Sequence, residues 1–113
     1  MNINKLIKAV KNNDKKAINN LLRKGMDINA LSQNGLCALH IAIEIKNISL
    51  IEFLLERGAD INFNKEGYYT PIEYASLVGN KQVVEYLLRK GSKTKNLHLI
   101  MLLQRGTIVL LNY

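Results

Sequence analysis

The stretch Gly58-Ala59-Asp60-Ile61-Asn62 has a near copy in Gly25-Met26-Asp27-Ile28-Asn29, 33 residues upstream, and that interval decides the fold. A third glycine, Gly91, follows Lys90 as Gly58 follows Arg57 and Gly25 follows Lys24, again 33 residues further on. Sliding the chain by this period lays Ala9 on Ala42 and Ala75, and Leu21-Leu22 on Leu54-Leu55 and Leu87-Leu88. Self-similarity at a fixed period of roughly 20–50 residues is the mark of a stack of like units.

Each unit has one grammar. Leu39, Ala42 and Ile43 lie at helical spacing, a short break holds Asn47, and Ile48, Ile51, Leu54 and Leu55 form a second helical stretch. In the next unit the break is Gly79-Asn80. The following glycine stops the second helix, because it adopts the left-handed conformation of a C-terminal cap. A polar turn-forming stretch, such as Asn29 to Gly35, leads to the next unit. Pro71 suits the first turn of its helix, where a missing N–H costs nothing. The small Ala9, Ala42 and Ala75 let helices approach closely. Leu6, Val10, Leu39, Ile72, Val83, Val84, Leu87 and Leu88 are expected in the core.

On these residues the chain resembles the ankyrin-repeat family over residues 2–96. Gly58-Ala59-Asp60-Ile61-Asn62 is similar to the end of an ankyrin unit. Thr70-Pro71-Ile72-Glu73-Tyr74-Ala75 resembles the T-P-L-H-x-A signature, with Glu73 in place of the histidine. Ala38-Leu39-His40-Ile41-Ala42 keeps the histidine but has Cys37 and Ala38 for Thr and Pro. The resemblance implies an all-α solenoid of helix-turn-helix repeats with short β-hairpin fingers. It also implies that His40 bonds backbone and the neighbouring repeat, and that Asn29 and Asn62 brace the hairpins.

The expected organisation is a single repeat domain. Residues 1–30 form an N-terminal capping repeat, 31–63 and 64–96 two ankyrin-like repeats, and 97–113 an irregular apolar end. The first unit has no hairpin before its first helix, and Lys5, Lys8, Lys11, Lys15 and Lys16 give it the polar surface a cap requires. Met1 is read as a natural start. In the tail, Leu102-Leu103-Gln104-Arg105-Gly106 echoes Leu87-Leu88-Arg89-Lys90-Gly91 after only 15 residues. Three readings of the tail stay open: a cover for repeat three, a dimer contact, or the truncated end of a longer array. A monomer is the favoured state.

Composition narrows the function. The 113 residues are 48% hydrophobic and 22% charged, with one Pro and one Cys, which fits an ordinary globular chain without an intrachain disulfide. No signal peptide is visible, and the longest apolar stretch, Leu97 to Leu103, is far short of the roughly 20 residues of a membrane span. An intracellular, cytoplasmic location is expected, or a host cell's interior if the source is a parasite or virus. The net charge of +7 raises the question of a polyanionic partner. Abundant Asn, Ile and Lys, however, are what AT-rich coding gives. The charge is also discontinuous: seven basic and two acidic residues in 1–30, two and four in 31–63, six and three in 64–96. An acidic middle interrupts the strip that a nucleic-acid groove needs, so nucleic acid is disfavoured.

Catalytic, cofactor and metal sites are not expected. His40 and Cys37 are three apart, but no third ligand has a convincing spacing. His98 lies inside an apolar run. Gly25, Gly58 and Gly91 end helices, whereas a phosphate loop packs its glycines before one. The expected function is non-catalytic binding of a partner protein. In ankyrin-like stacks the hairpin tips and the exposed face of each first helix grip partners. Unit by unit, this gives Gln33, Asn34 and Leu36, then Glu66, Gly67, Tyr68 and Tyr69. On the helices it gives Lys11 and Asn12, Glu44 and Ile45, Leu77 and Val78, in a stripe with steps of roughly 10 Å. Two alternatives remain: a terminal piece of a longer array with no role of its own, and polyanion binding by the basic ends.

Overall fold

The computed structural model describes residues 2–92. Its six helices form three antiparallel pairs: α1 (Ile3–Lys11) with α2 (Lys15–Arg23), α3 (Ala38–Ile45) with α4 (Ile48–Glu56), and α5 (Pro71–Val78) with α6 (Lys81–Arg89). The first helices make the spine, with α3 packed between α1 and α5. Among the described residues there is no strand, and the fingers are turns.

Local chemistry repeats with the period. Each second helix starts on a side-chain cap: Asp14 accepts from Ala17 N–H, Asn47 from Leu50 N–H and Asn80 from Val83 N–H, at 2.9–3.1 Å. Each ends in the same double-bonded cap. Gly25, Gly58 and Gly91 have φ of 97–100°, and their N–H groups reach Leu22, Leu55 and Leu88 carbonyls. The next residues, Met26, Ala59 and Ser92, bond back to Leu21, Leu54 and Leu87. A Cβ at these glycines would meet nothing within 4 Å, so backbone angle alone demands glycine there.

The two fingers turn differently. Gly35 N–H bonds to Ser32 O, and Tyr68 N–H to Lys65 O, so Gly35 and Tyr68 hold equivalent places. The positive φ falls on Gly35 in the first finger and one residue earlier, on Gly67, in the second. That shift frees the Gly35 place for a side chain. The Tyr68 ring fills it and lies against Gly35, where any Cβ would collide with the ring.

The core runs through all three pairs and includes Leu6, Leu39, Leu54, Ile72 and Leu87, each at most 1% exposed. Ala42 and Ala75 are fully buried on the spine. Leu88 departs from expectation: it is 39% exposed. In α6 the inward face is Val83, Val84 and Leu87, and the next residue is rotated by about 100° out of it. The expected irregular end, 97–113, lies outside the described residues.

Repeat one presents a polar end face. Tyr74 contacts α3, and Phe53 lies 5.4 Å from Lys15 Nζ on α2, so these positions face the preceding unit. In repeat one the matching places hold Lys8, two periods before Tyr74, and Asn20, one period before Phe53, and with Lys5 they line a groove of about 330 Å3 floored by Ala9, Ala17 and Leu21.

Candidate recognition surface

Bonds between successive units set the surface geometry. Asn29 Nδ2 donates to Gly58 O at 3.3 Å, and its Oδ1 accepts from Asp60 N–H at 2.8 Å. Asn62 Nδ2 reaches Gly91 O at 3.5 Å. These asparagines therefore tie one unit to the next, a longer reach than bracing their own hairpins.

His40 is fully buried, and its two ring nitrogens do different work. Nε2 lies 2.8 Å from Tyr69 O, an acceptor only, so Nε2 carries the proton and donates. Nδ1 accepts from Cys37 N–H at 3.0 Å. Phe63 and Tyr74 close on the ring edge-to-face, at 6.2 and 5.3 Å between centroids. His40 thus joins its own helix start to the base of the following finger. Glu73, at the equivalent place, serves its own helix: it accepts from Thr70 N–H through Oε1, while Thr70 Oγ1 accepts from Glu73 N–H.

The Cys37 thiol is 3.2 Å from His40 Nδ1, which invites comparison with a catalytic pair. The electrostatics run the wrong way for one. Burial pushes the thiol pKa up and the imidazole pKa down, which favours the neutral forms of both over thiolate and imidazolium. No group of three or more His, Cys, Asp or Glu among the described residues could hold a metal ion. Among the same residues, no helix is long and apolar enough to cross a membrane.

At Cys37 a thiol stands where Thr70 offers a hydroxyl to the first turn of α5. Cys37→Thr is expected to stabilise the chain by about 0.5–1.5 kcal/mol, the net contribution of one good hydrogen bond. Urea melts with a midpoint equal to or below the parent's would contradict this.

Of the sequence-derived surface residues, Gln33, Asn34, Glu44 and Glu66 are exposed. So are four large apolar or aromatic side chains: Ile45 at 40%, Tyr68 at 41%, Tyr69 at 49% and Leu77 at 44%. Leu36 and Val78 are half-buried; Leu36 packs against the core. Tyr74 is a residue that the sequence reading passed over. Its hydroxyl donates to Glu44 Oε1 at 3.0 Å, and its ring lies 6.0 Å from that of Tyr69, tilted by 47°. Tyr69, Tyr74 and Glu44 therefore form one connected group from finger to spine. The available signal was the spacing itself, since Tyr74 sits one period after Ile41, on the face turned to the preceding unit.

Stacked helix pairs with finger turns, bonded unit to unit at a 33-residue period, define a repeat-solenoid protein. The family model for ankyrin repeats (3 copies) matches residues 6–97, and the chain belongs to the ankyrin-repeat family. A comparison with curated proteins returns no match.

Proposed function

We propose that this chain is a non-catalytic recognition module that binds a partner protein through its finger turns and the exposed face of its first helices. Ankyrin repeats generally serve as protein-interaction modules, and that is the background of the reading. The observation that carries it is the exposed set Ile45, Tyr68, Tyr69 and Leu77, drawn from two adjacent units and both element types. Apolar and aromatic side chains gathered at a surface mark interaction sites, and tyrosine is favoured where binding energy concentrates.

The test uses short random peptides displayed on phage, selected on the full chain. Leu77→Arg is expected to reduce binding of the selected peptides by about a hundredfold or more, as for a central anchor. Its melting temperature should stay within a few degrees of the parent's, because Leu77 is 44% exposed. Gln82→Ala with Glu85→Ala, on exposed positions of α6, should leave binding intact. Peptides that bind the Leu77→Arg protein as tightly as the parent would reject this surface.

The groove at Lys5 and Lys8 supports a second reading, polyanion binding. Phosphate contacts lose affinity steeply with salt, whereas an apolar interface does not. Binding of a nucleic acid that collapses with salt, and with Lys5, Lys8 and Lys11 changed to Glu, would favour it.

A further inference from the structure

We propose that Glu44 is the specificity-determining residue of this surface, and that it recognises an arginine of a partner segment whose apolar side chains pack on Ile45, Leu77 and Tyr69. The inference rests on the recognition reading above and names the chemistry of the occupant.

Glu44 is exposed on α3, yet it is not a free surface carboxylate. The Tyr74 hydroxyl, itself anchored through ring contacts with His40 and Tyr69, donates to Oε1 at 3.0 Å. Burial and the adjacent carboxylate push the Tyr74 pKa up to about 12, so this hydroxyl keeps its proton across the physiological range. A carboxylate held in this way has already lost the rotamer freedom that a partner would otherwise have to take from it. Its two oxygens have about four lone-pair sites, and Tyr74 occupies one.

The surroundings select the cation. Ile45 is the next residue and Leu77 holds the equivalent place one unit on, so exposed apolar side chains flank the carboxylate on that side, while Lys11 holds the place one unit back. A guanidinium tolerates such a place better than an ammonium, because it is weakly hydrated, planar and bidentate toward carboxylate. The exposed Tyr69 ring offers it an aromatic face. Glu44 is the acidic residue of α3, whereas Glu52 and Glu56 stand on α4 and Asp60 after it. At the same helix position the flanking units carry Lys11 and Leu77, so only this step of the stripe offers a carboxylate.

The probe is again the displayed random-peptide library, selected in parallel on the parent and on Glu44→Lys. On the parent, selected peptides should carry an arginine beside apolar or aromatic residues. Their affinity should fall at least about tenfold with Glu44→Gln, the scale of a hydrogen bond between charged groups. Replacing the peptide's arginine with lysine should also weaken binding. Tyr74→Phe keeps the ring and removes only the restraint, so it should weaken arginine-bearing peptides while leaving an arginine-free variant unchanged. Selection on Glu44→Lys should turn toward acidic peptides.

Arginine-free peptides that ignore Glu44→Lys but fail on Leu77→Arg would overturn this inference and leave the apolar surface standing. Peptides indifferent to both changes would overturn the surface as well, as would a selection that enriches nothing. Reversible self-association of the parent in sedimentation velocity, abolished by Leu77→Arg, would make a second copy the occupant and also overturn it.

Discussion

His40→Leu is expected to lower the unfolding free energy by about 2–5 kcal/mol, a large share of the roughly 5–15 kcal/mol a small protein has. Leucine fills most of the volume but has no polar atom. It leaves the Tyr69 carbonyl and the Cys37 N–H without the imidazole, and each buried group so abandoned costs about 1–3 kcal/mol. The loss should also depend on pH. Burial lowers the His40 pKa below its ordinary 6.5, so the unfolded chain takes up a proton before the folded one does. The contribution of His40 is therefore whole above pH 6.5 and is lost as pH falls below that value and through the lowered folded one. Protonation would put a donor at Nδ1, against the Cys37 N–H. Urea melts at about pH 7.5 and about pH 5.5 should show the gap between parent and variant narrowing at the lower pH. A gap that is small, or equal at both, would remove His40 from its bridging role.

The second large effect lies in the middle of the array. Leu54 is fully buried in α4, and its carbonyl closes the helix cap by accepting from Ala59 N–H. Leu54→Ala should cost about 2–5 kcal/mol through lost burial and the cavity left behind. Nearest-neighbour coupling adds a qualitative sign. A weakened central unit uncouples its flanks, so the denaturant transition should broaden and its slope fall. A loss below about 1 kcal/mol with an unchanged slope would mean that the site relaxes fully and the units are not coupled as described.

The fold was legible because a 33-residue period repeats the residues that make helix ends, and helix ends are local chemistry. Gly25, Gly58 and Gly91 could be assigned to caps from spacing alone, and the structure places a left-handed glycine at each. The left-handed ends of the first helices were harder to see, because Asn13, Lys46 and Gly79 share no residue type while sharing positive φ. Leu88 was misjudged because it lies about 100° beyond Leu87, at the edge of the face that Val83, Val84 and Leu87 turn inward. The exposed stripe followed from periodicity. Its organising contact did not, because Tyr74 and Glu44 are 30 residues apart and meet only once α5 is docked on α3.

The central claim is that the finger turns and first-helix faces form one recognition surface. Hydrogen–deuterium exchange of the full chain, alone and saturated with a selected peptide, tests it most directly. Slowed exchange is predicted at residues 33–36, 44–46 and 66–70 and around the end of α5, with the α6 outer face unchanged. Protection confined to α1 and α2 around Lys5 and Lys8, with the fingers exchanging as in the free chain, would contradict it.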